Sequence, residues 1–189
     1  VSAAAGGVIC SLEDMLTWVS TQLKRGTSTE GFTLFSEEQS KEMWKPQMIL
    51  SVSERDYEMN KTHFKAYGLG WRLADVHGYK EVSHTGTLAG MKSYVVLIPE
   101  VDLGVVLLTN GSRSAARSTV MNTIVRSFMP VEQHDWIQLA LEKEEAGNQQ
   151  LAPAIAEDIS PVADSLITND NGLSAYTGRY RDPWFGDVV

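Results

Sequence analysis

Four residues that could bind a substrate follow one another as His84-Thr85-Gly86-Thr87, at the end of a strand-like run that starts at Tyr79. Histidine has an unperturbed pKa of about 6.5, so that above neutral pH it offers a hydrogen bond more reliably than a charge. Glycine allows close approach of another backbone because it carries no Cβ. Acyl transfer needs a nucleophile, a base and donors for an oxyanion. A strand of this kind can supply backbone donors and can bind an extended substrate by strand addition.

Other chemically capable residues favour structural roles. Ser93 has neither a G-x-S-x-G context nor Lys three positions on, so we expect it to be structural. A single cysteine, Cys10, excludes an internal disulfide, and we expect a buried, inert thiol. The remaining histidines, His63, His77 and His134, lack metal-ligand spacing. We therefore predict no metal and no cofactor.

Composition narrows the possible partners. The 189 residues carry a net charge of −8 and 43% apolar residues, which suffices for one domain with a real core. This acidity is the opposite of a nucleic-acid-binding footprint. No apolar stretch approaches the roughly 18 residues of a membrane-spanning helix, and the opening residues lack the basic and long apolar regions of a signal peptide. We expect a small-molecule or peptide substrate.

The first part of the chain predicts two capped helices. Ser11 with Asp14, and Ser36 with Gln39, have the spacing of capping boxes. The first helix should end near Gly26 and the second before Pro46, and the aperiodic residues 48–65 indicate a loop.

Strand patterns begin at Tyr67. Alternation predicts one strand over 67–74, a turn at His77-Gly78 and a second strand over 79–85. The apolar runs 93–98 and 103–109 indicate central strands covered on both faces. A helix should then present Ala116, Val120, Ile124 and Phe128 to the core and end at Pro130.

The C-terminal third suggests a change of domain. A helix is predicted from about 134 to 147, within a domain that ends near 150, followed by a linker over 151–172. Residues 173–189 resemble the start of a truncated β domain, in which the strand Leu173–Tyr180 has no partner strand.

Several segments between Gly6 and Asn110 resemble, in the same order, those of the β-lactamase-related serine hydrolases with the penicillin-binding-protein fold. His84-Thr85-Gly86 resembles their third box, which is K-T-G in β-lactamases. The other similar segments are Gly6-Gly7-Val8-Ile9-Cys10-Ser11-Leu12-Glu13-Asp14-Met15 with Trp18, Met43-Trp44-Lys45-Pro46-Gln47, Tyr67-Gly68-Leu69-Gly70-Trp71, and the hairpin marked by Gly90, Ser93, Pro99-Glu100 and Gly104-Val105-Val106-Leu107-Leu108-Thr109-Asn110.

The resemblance implies an α/β (α+β) sandwich with an antiparallel sheet flanked by helices, like β-lactamases and transpeptidases. It also implies an acyl-enzyme on a Ser of an S-x-x-K motif, with a second Ser- or Tyr-centred motif. No Ser in the 189 residues has Lys three positions on, and neither Tyr-x-Asn nor Ser-x-Asn occurs. We therefore expect part of an enzyme, inactive by itself.

By the same resemblance, the N–H of Thr87 would point at the developing oxyanion, and Thr85 would hydrogen-bond substrate through its hydroxyl. Gly86 would let substrate approach the strand. His84 replaces the usual Lys, which favours the peptidase- and esterase-like members over β-lactamases; the alternative is that His84 only packs against neighbouring strands.

Two functions stay open from the sequence. One is a bacterial serine hydrolase, periplasmic or secreted, that cleaves amide or ester bonds; the other is a non-catalytic binding module on the same fold. Missing sheet partners would also leave unpaired edges, through which the chain could associate.

Overall fold

The computed structural model describes residues 6–88, 90–111, 113–158, 180–182 and 186–188, with side chains for 6–88, 90–111, 113–147 and Arg181. The chain divides into two compact units, Val1–Ala140 and Leu141–Val189. Within the described ranges, none of the helices is both long and apolar enough to cross a bilayer.

The first unit contains a six-stranded antiparallel sheet in which the strands lie side by side in chain order. In this meander a segment that contains a helix joins β1 to β2, and at most four residues join each other pair of neighbouring strands. Its strands are β1 (Met48–Leu50), β2 (Lys65–Tyr67), β3 (Arg72–Val76), β4 (Tyr79–Leu88), β5 (Met91–Ile98) and β6 (Leu103–Thr109). A short 3-10 helix, Pro99–Val101, turns the chain between β5 and β6.

Four helices belong with this sheet: α1 (Leu12–Leu23), α2 (Glu37–Met43), α3 (Glu54–Asn60) and α4 (Ser114–Ser127). The predicted capping boxes of Ser11 with Asp14 and Ser36 with Gln39 both form, and they start α1 and α2 where the sequence places them. Each box satisfies two backbone N–H groups that a helix start leaves without intrahelical partners.

The loop prediction for residues 48–65 is wrong. This segment contains β1 and α3, and α3 begins with a third capping box, formed by Ser53 and Asp56. A three-residue strand and a seven-residue helix are too short to show a hydrophobic period.

The single strand predicted over 67–74 is two strands. β2 ends at Tyr67 and β3 begins at Arg72. Gly68 lies against the backbone carbonyl of Met43, where a Cβ would not fit, and Gly70 has a positive φ of 77°. Gly68 and Gly70 therefore form the bend between the two strands.

Both faces of β5 are covered, as predicted for a central strand, whereas β6, also predicted to be central, is an outer strand of the described sheet. Val95 and Leu97 belong to the core cluster on the α1 side, whereas Val96 and Ile98 belong to the cluster on the α4 side. This alternation follows from the two-residue period of a strand. The first cluster also contains Val19, Ala66, Trp71, Leu73 and Val82, and the second Met121, Val125 and Met129.

The apolar stripe predicted to face the core from α4 is wrong by one position. Val120, Ile124 and Phe128 are 45%, 36% and 63% exposed, whereas Met121 and Val125 are 1% exposed. Two apolar stripes run side by side on this helix, and the sequence period alone does not say which one meets the sheet.

The helix predicted over about 134 to 147 is longer. Helix α5 covers Trp136–Asp158 and so enters the segment predicted as a linker, of which residues 159–172 lie outside the described residues. In the second unit, β7 (Tyr180–Asp182) and β8 (Gly186–Val188) form an antiparallel pair. Tyr180, the last residue of the strand predicted to lack a partner, therefore pairs with Val188, while residues 173–179 of that strand lie outside the described part.

Candidate functional site

The four residues His84–Thr87, called the box below, lie on the half of β4 that has a strand on one side only. Pairing between β3 and β4 ends where Arg72 lies opposite Ser83. Pairing between β4 and β5 continues to Leu88 opposite Met91. Among the described strands, residues 84–88 therefore have an open edge, towards which half of their backbone N–H and C=O groups point.

The strand period divides the box between the two faces of the sheet. His84 lies opposite Val95 and Gly86 opposite Ser93, on the face of the α1-side cluster. Thr85 lies opposite Tyr94 and Thr87 opposite Lys92, on the α4 side. The structure thus brings all four predicted site residues onto one strand, with their side chains on alternate faces.

His84 makes a close contact with Tyr67 of β2. The Tyr67 hydroxyl lies 2.8 Å from His84 Nε2, and the two rings meet edge to face with centroids 6.0 Å apart. Burial lowers the pKa of His84, the Arg72 guanidinium lowers it further, and a hydrogen bond with the Thr85 backbone acts in the opposite direction. The box therefore presents a neutral imidazole at neutral pH.

Gly86 is required by the fold itself. A Cβ at this position would overlap Ser93 Oγ on the neighbouring strand. The hydroxyl of Ser93 therefore occupies the space that a side chain at position 86 would need, in keeping with the structural role expected for Ser93.

Arg117 of α4 reaches the box from the opposite face. Its Nη1 lies 3.0 Å from the Gly86 carbonyl oxygen, 3.3 Å from the Ser93 carbonyl oxygen and 3.5 Å from Thr87 Oγ1. Its guanidinium also lies over the ring of Tyr94, 5.7 Å from the centroid. The sequence analysis did not find Arg117, because no local spacing relates position 117 to the box. It did not find Tyr67 either, because Tyr67 has the pattern of an ordinary strand residue.

Arg126 of α4 contacts Glu81 in the first half of β4. Arg126 of α4 is 2% exposed, and its Nη2 lies 3.6 Å from Glu81 Oε2 and 3.1 Å from Asn60 Oδ1. Burial raises the pKa of Glu81, while the Arg126 charge opposes that rise. The two arginines of α4 thus contact β4 at Glu81 and at the box.

A separate cavity of about 340 Å³ lies near the turn between β3 and β4. Its walls include Trp44, Phe64, Tyr79, Lys80 and Glu100, and none of the four box residues lines it. The Lys80 ammonium lies over the Trp44 ring, 5.5 Å from its centroid.

Cys10 is exposed, so the expectation of a buried thiol is wrong. It lies two residues before the first residue of α1. Among the described residues, no group of three His, Cys, Asp or Glu side chains is placed to hold a metal ion.

The antiparallel sheet and the helices that cover it form an α+β domain. The family model described as Beta-lactamase matches residues 1–128, and the chain belongs to this family. The matched residues include all six strands and helices α1 to α4. Membership points to hydrolase activity in general. No curated protein and no solved structure matches the chain.

Proposed function

We propose that the chain is part of a serine hydrolase that cleaves amide or ester bonds through an acyl-enzyme. The nucleophile and its base would come from polypeptide outside these 189 residues, because neither S-x-x-K nor Tyr-x-Asn nor Ser-x-Asn occurs in them. Membership of the Beta-lactamase family supports the hydrolase class.

The observation that carries this proposal is the open edge of β4 over residues 84–88. A strand edge with free N–H and C=O groups binds an extended acyl substrate by adding it to the sheet. In the proposed mechanism, the N–H of Thr87 donates to the oxyanion together with the N–H of the nucleophile. One such donor is typically worth about 10²–10³ in rate.

The neutral His84 suggests the substrate class. A β-lactam carries a carboxylate, for which a permanent cation in the box is the better partner. His84 instead lies against Tyr67 and its pKa is lowered. Small peptides, D-amino-acid amides and carboxylic esters therefore rank ahead of β-lactams, with the hydroxyl of Thr85 as a further substrate contact. We keep a periplasmic or secreted location as a prediction.

The test is covalent labelling of the longer parent polypeptide beside the 189-residue chain, with a fluorophosphonate and a fluorescent penicillin. Intact mass and peptide mapping would locate any adduct. We expect a fluorophosphonate adduct on a Ser of an S-x-x-K motif in the parent and no adduct on the 189-residue chain. Labelling by the penicillin as well would bring β-lactams back as substrates.

Two results would contradict the proposal. A folded parent that takes up neither probe would favour the non-catalytic binding module on the same fold. An adduct on a Ser within the 189 residues would show that the chain contains its own nucleophile. Ser93→Ala is the matched control, because Ser93 packs against Gly86 and should not affect labelling.

A further inference from the structure

We propose that Arg117 is a positioning residue that orients and polarises the peptide unit between Gly86 and Thr87. This inference rests on the proposed function, in which the N–H of that peptide stabilises the oxyanion. The contact that carries it is the 3.0 Å hydrogen bond from Arg117 Nη1 to the Gly86 carbonyl oxygen.

The geometry follows from the planarity of the peptide group. The carbonyl of Gly86 and the N–H of Thr87 belong to one trans peptide, so they point in opposite directions. Arg117 bonds both Gly86 O and Ser93 O, the carbonyls of two residues that lie opposite each other on β4 and β5. The Gly86 carbonyl therefore points towards β5, and the Thr87 N–H points towards the open edge.

The charge of Arg117 adds to this orientation. A hydrogen bond from a cation to a carbonyl polarises the peptide, and hydrogen bonds in a chain strengthen one another. The Thr87 N–H thereby becomes a stronger donor before any substrate binds. The 3.5 Å contact between Arg117 Nη1 and Thr87 Oγ1 holds the Thr87 side chain on the same side of the sheet as the arginine.

Arginine suits this position better than lysine. Its planar group stacks on an aromatic ring while it donates in the ring plane, and it keeps its charge when buried. Arg117 lies over Tyr94, the residue opposite Thr85. Burial raises the pKa of Tyr94, which keeps the phenol neutral beneath the guanidinium. Among the described residues Arg117 Nε is buried without a hydrogen-bond partner, a cost that the contacts of Nη1 must offset.

The first arm of the test needs no activity. Amide ¹H–¹⁵N spectra of Arg117→Lys and Arg117→Met would be compared with those of the unaltered chain. We expect the Thr87 amide proton to move upfield in Arg117→Met and less in Arg117→Lys, with small changes at Val96. Arg55→Met, at an exposed arginine on α3, is the matched control. An unchanged Thr87 amide in folded Arg117→Met would overturn the proposal.

The second arm uses p-nitrophenyl ester hydrolysis by the parent. Because a misplaced oxyanion donor weakens transition-state binding, Arg117→Lys should lower kcat by about 10–100-fold with little change in KM. A normal kcat, or a rise in KM alone, would refute the catalytic role. If the unaltered parent is inert, the proposed function fails, while the spectra still decide whether Arg117 polarises the peptide.

Discussion

The Tyr67 hydroxyl lies 2.8 Å from His84 Nε2, and this contact joins β2 to β4 across the end of β3. Burial and the Arg72 guanidinium lower the pKa of His84, so the ring is neutral at neutral pH. In the tautomer that carries its proton on Nδ1, the Nε2 atom accepts a hydrogen bond from the Tyr67 hydroxyl.

Tyr67→Phe should raise the pKa of His84 towards its ordinary value of 6.5, because it removes a hydroxyl that can donate to the neutral ring. Proton NMR titration of the His84 ring measures this directly. Because the pKa of His84 is lower in the folded state, the unfolded state binds more protons below about pH 6.5. The free energy of unfolding should therefore fall as the pH drops from 6.5 through the folded-state pKa. A fall in the His84 pKa on substitution would show that Tyr67 accepts rather than donates.

Gly86→Ala should lower the free energy of unfolding by about 1–3 kcal/mol, since the new methyl group overlaps Ser93 Oγ. Ser93→Ala removes that oxygen, so the double variant should recover most of the loss. Urea denaturation of the two single variants and the double variant forms a complete cycle. If the two losses simply add, the close approach of strands β4 and β5 is not the reason for glycine.

Glu81→Gln should reduce the change of the free energy of unfolding with pH above pH 4.5. Burial raises the pKa of Glu81, so the folded state holds a proton that the unfolded state releases, and stability is lost as pH rises through the folded-state pKa. A tenfold difference in proton affinity between the two states corresponds to about 1.4 kcal/mol of stability. Chemical denaturation at several pH values compares this variant with Glu58→Gln on exposed α3. Equal slopes for both variants would contradict the burial effect.

Ile49→Lys should reduce self-association of the chain. Ile49 is 85% exposed on β1, an outer strand of the six-stranded sheet. A lysine on an outer strand disfavours edge-to-edge pairing. Sedimentation velocity over a range of concentrations provides the measurement, and Ile137→Lys, on the exposed side of α5, is the control. Association that responds equally to both substitutions would indicate a general apolar effect.

The sequence predicted the features that are decided by residues close together in the chain, such as strand limits and helix starts. Strand β6 has the predicted limits, and two helix starts follow from capping boxes. The family resemblance led to the fold class and placed the box on a strand. Local pattern failed where elements were short, as in β1 and α3, and where two apolar stripes competed on α4.

The candidate site was predictable only in part. The residues His84–Thr87 could be chosen because they are contiguous, and their substrate roles stay predictions. Tyr67 and Arg117 enter the site through contacts across strands and from a helix, over separations of 17 and 31 residues. Such contacts are decided by packing and leave no period in a single sequence.

Strand β5 alternates its side chains between the two core clusters. Val95 and Leu97 belong to the cluster on the α1 side, and Val96 and Ile98 belong to the cluster on the α4 side. Thermal unfolding of one cluster should therefore unfold the other as well, because both clusters depend on the backbone of β5. The residues 1–140 should therefore give a single calorimetric peak whose van't Hoff and measured enthalpies agree.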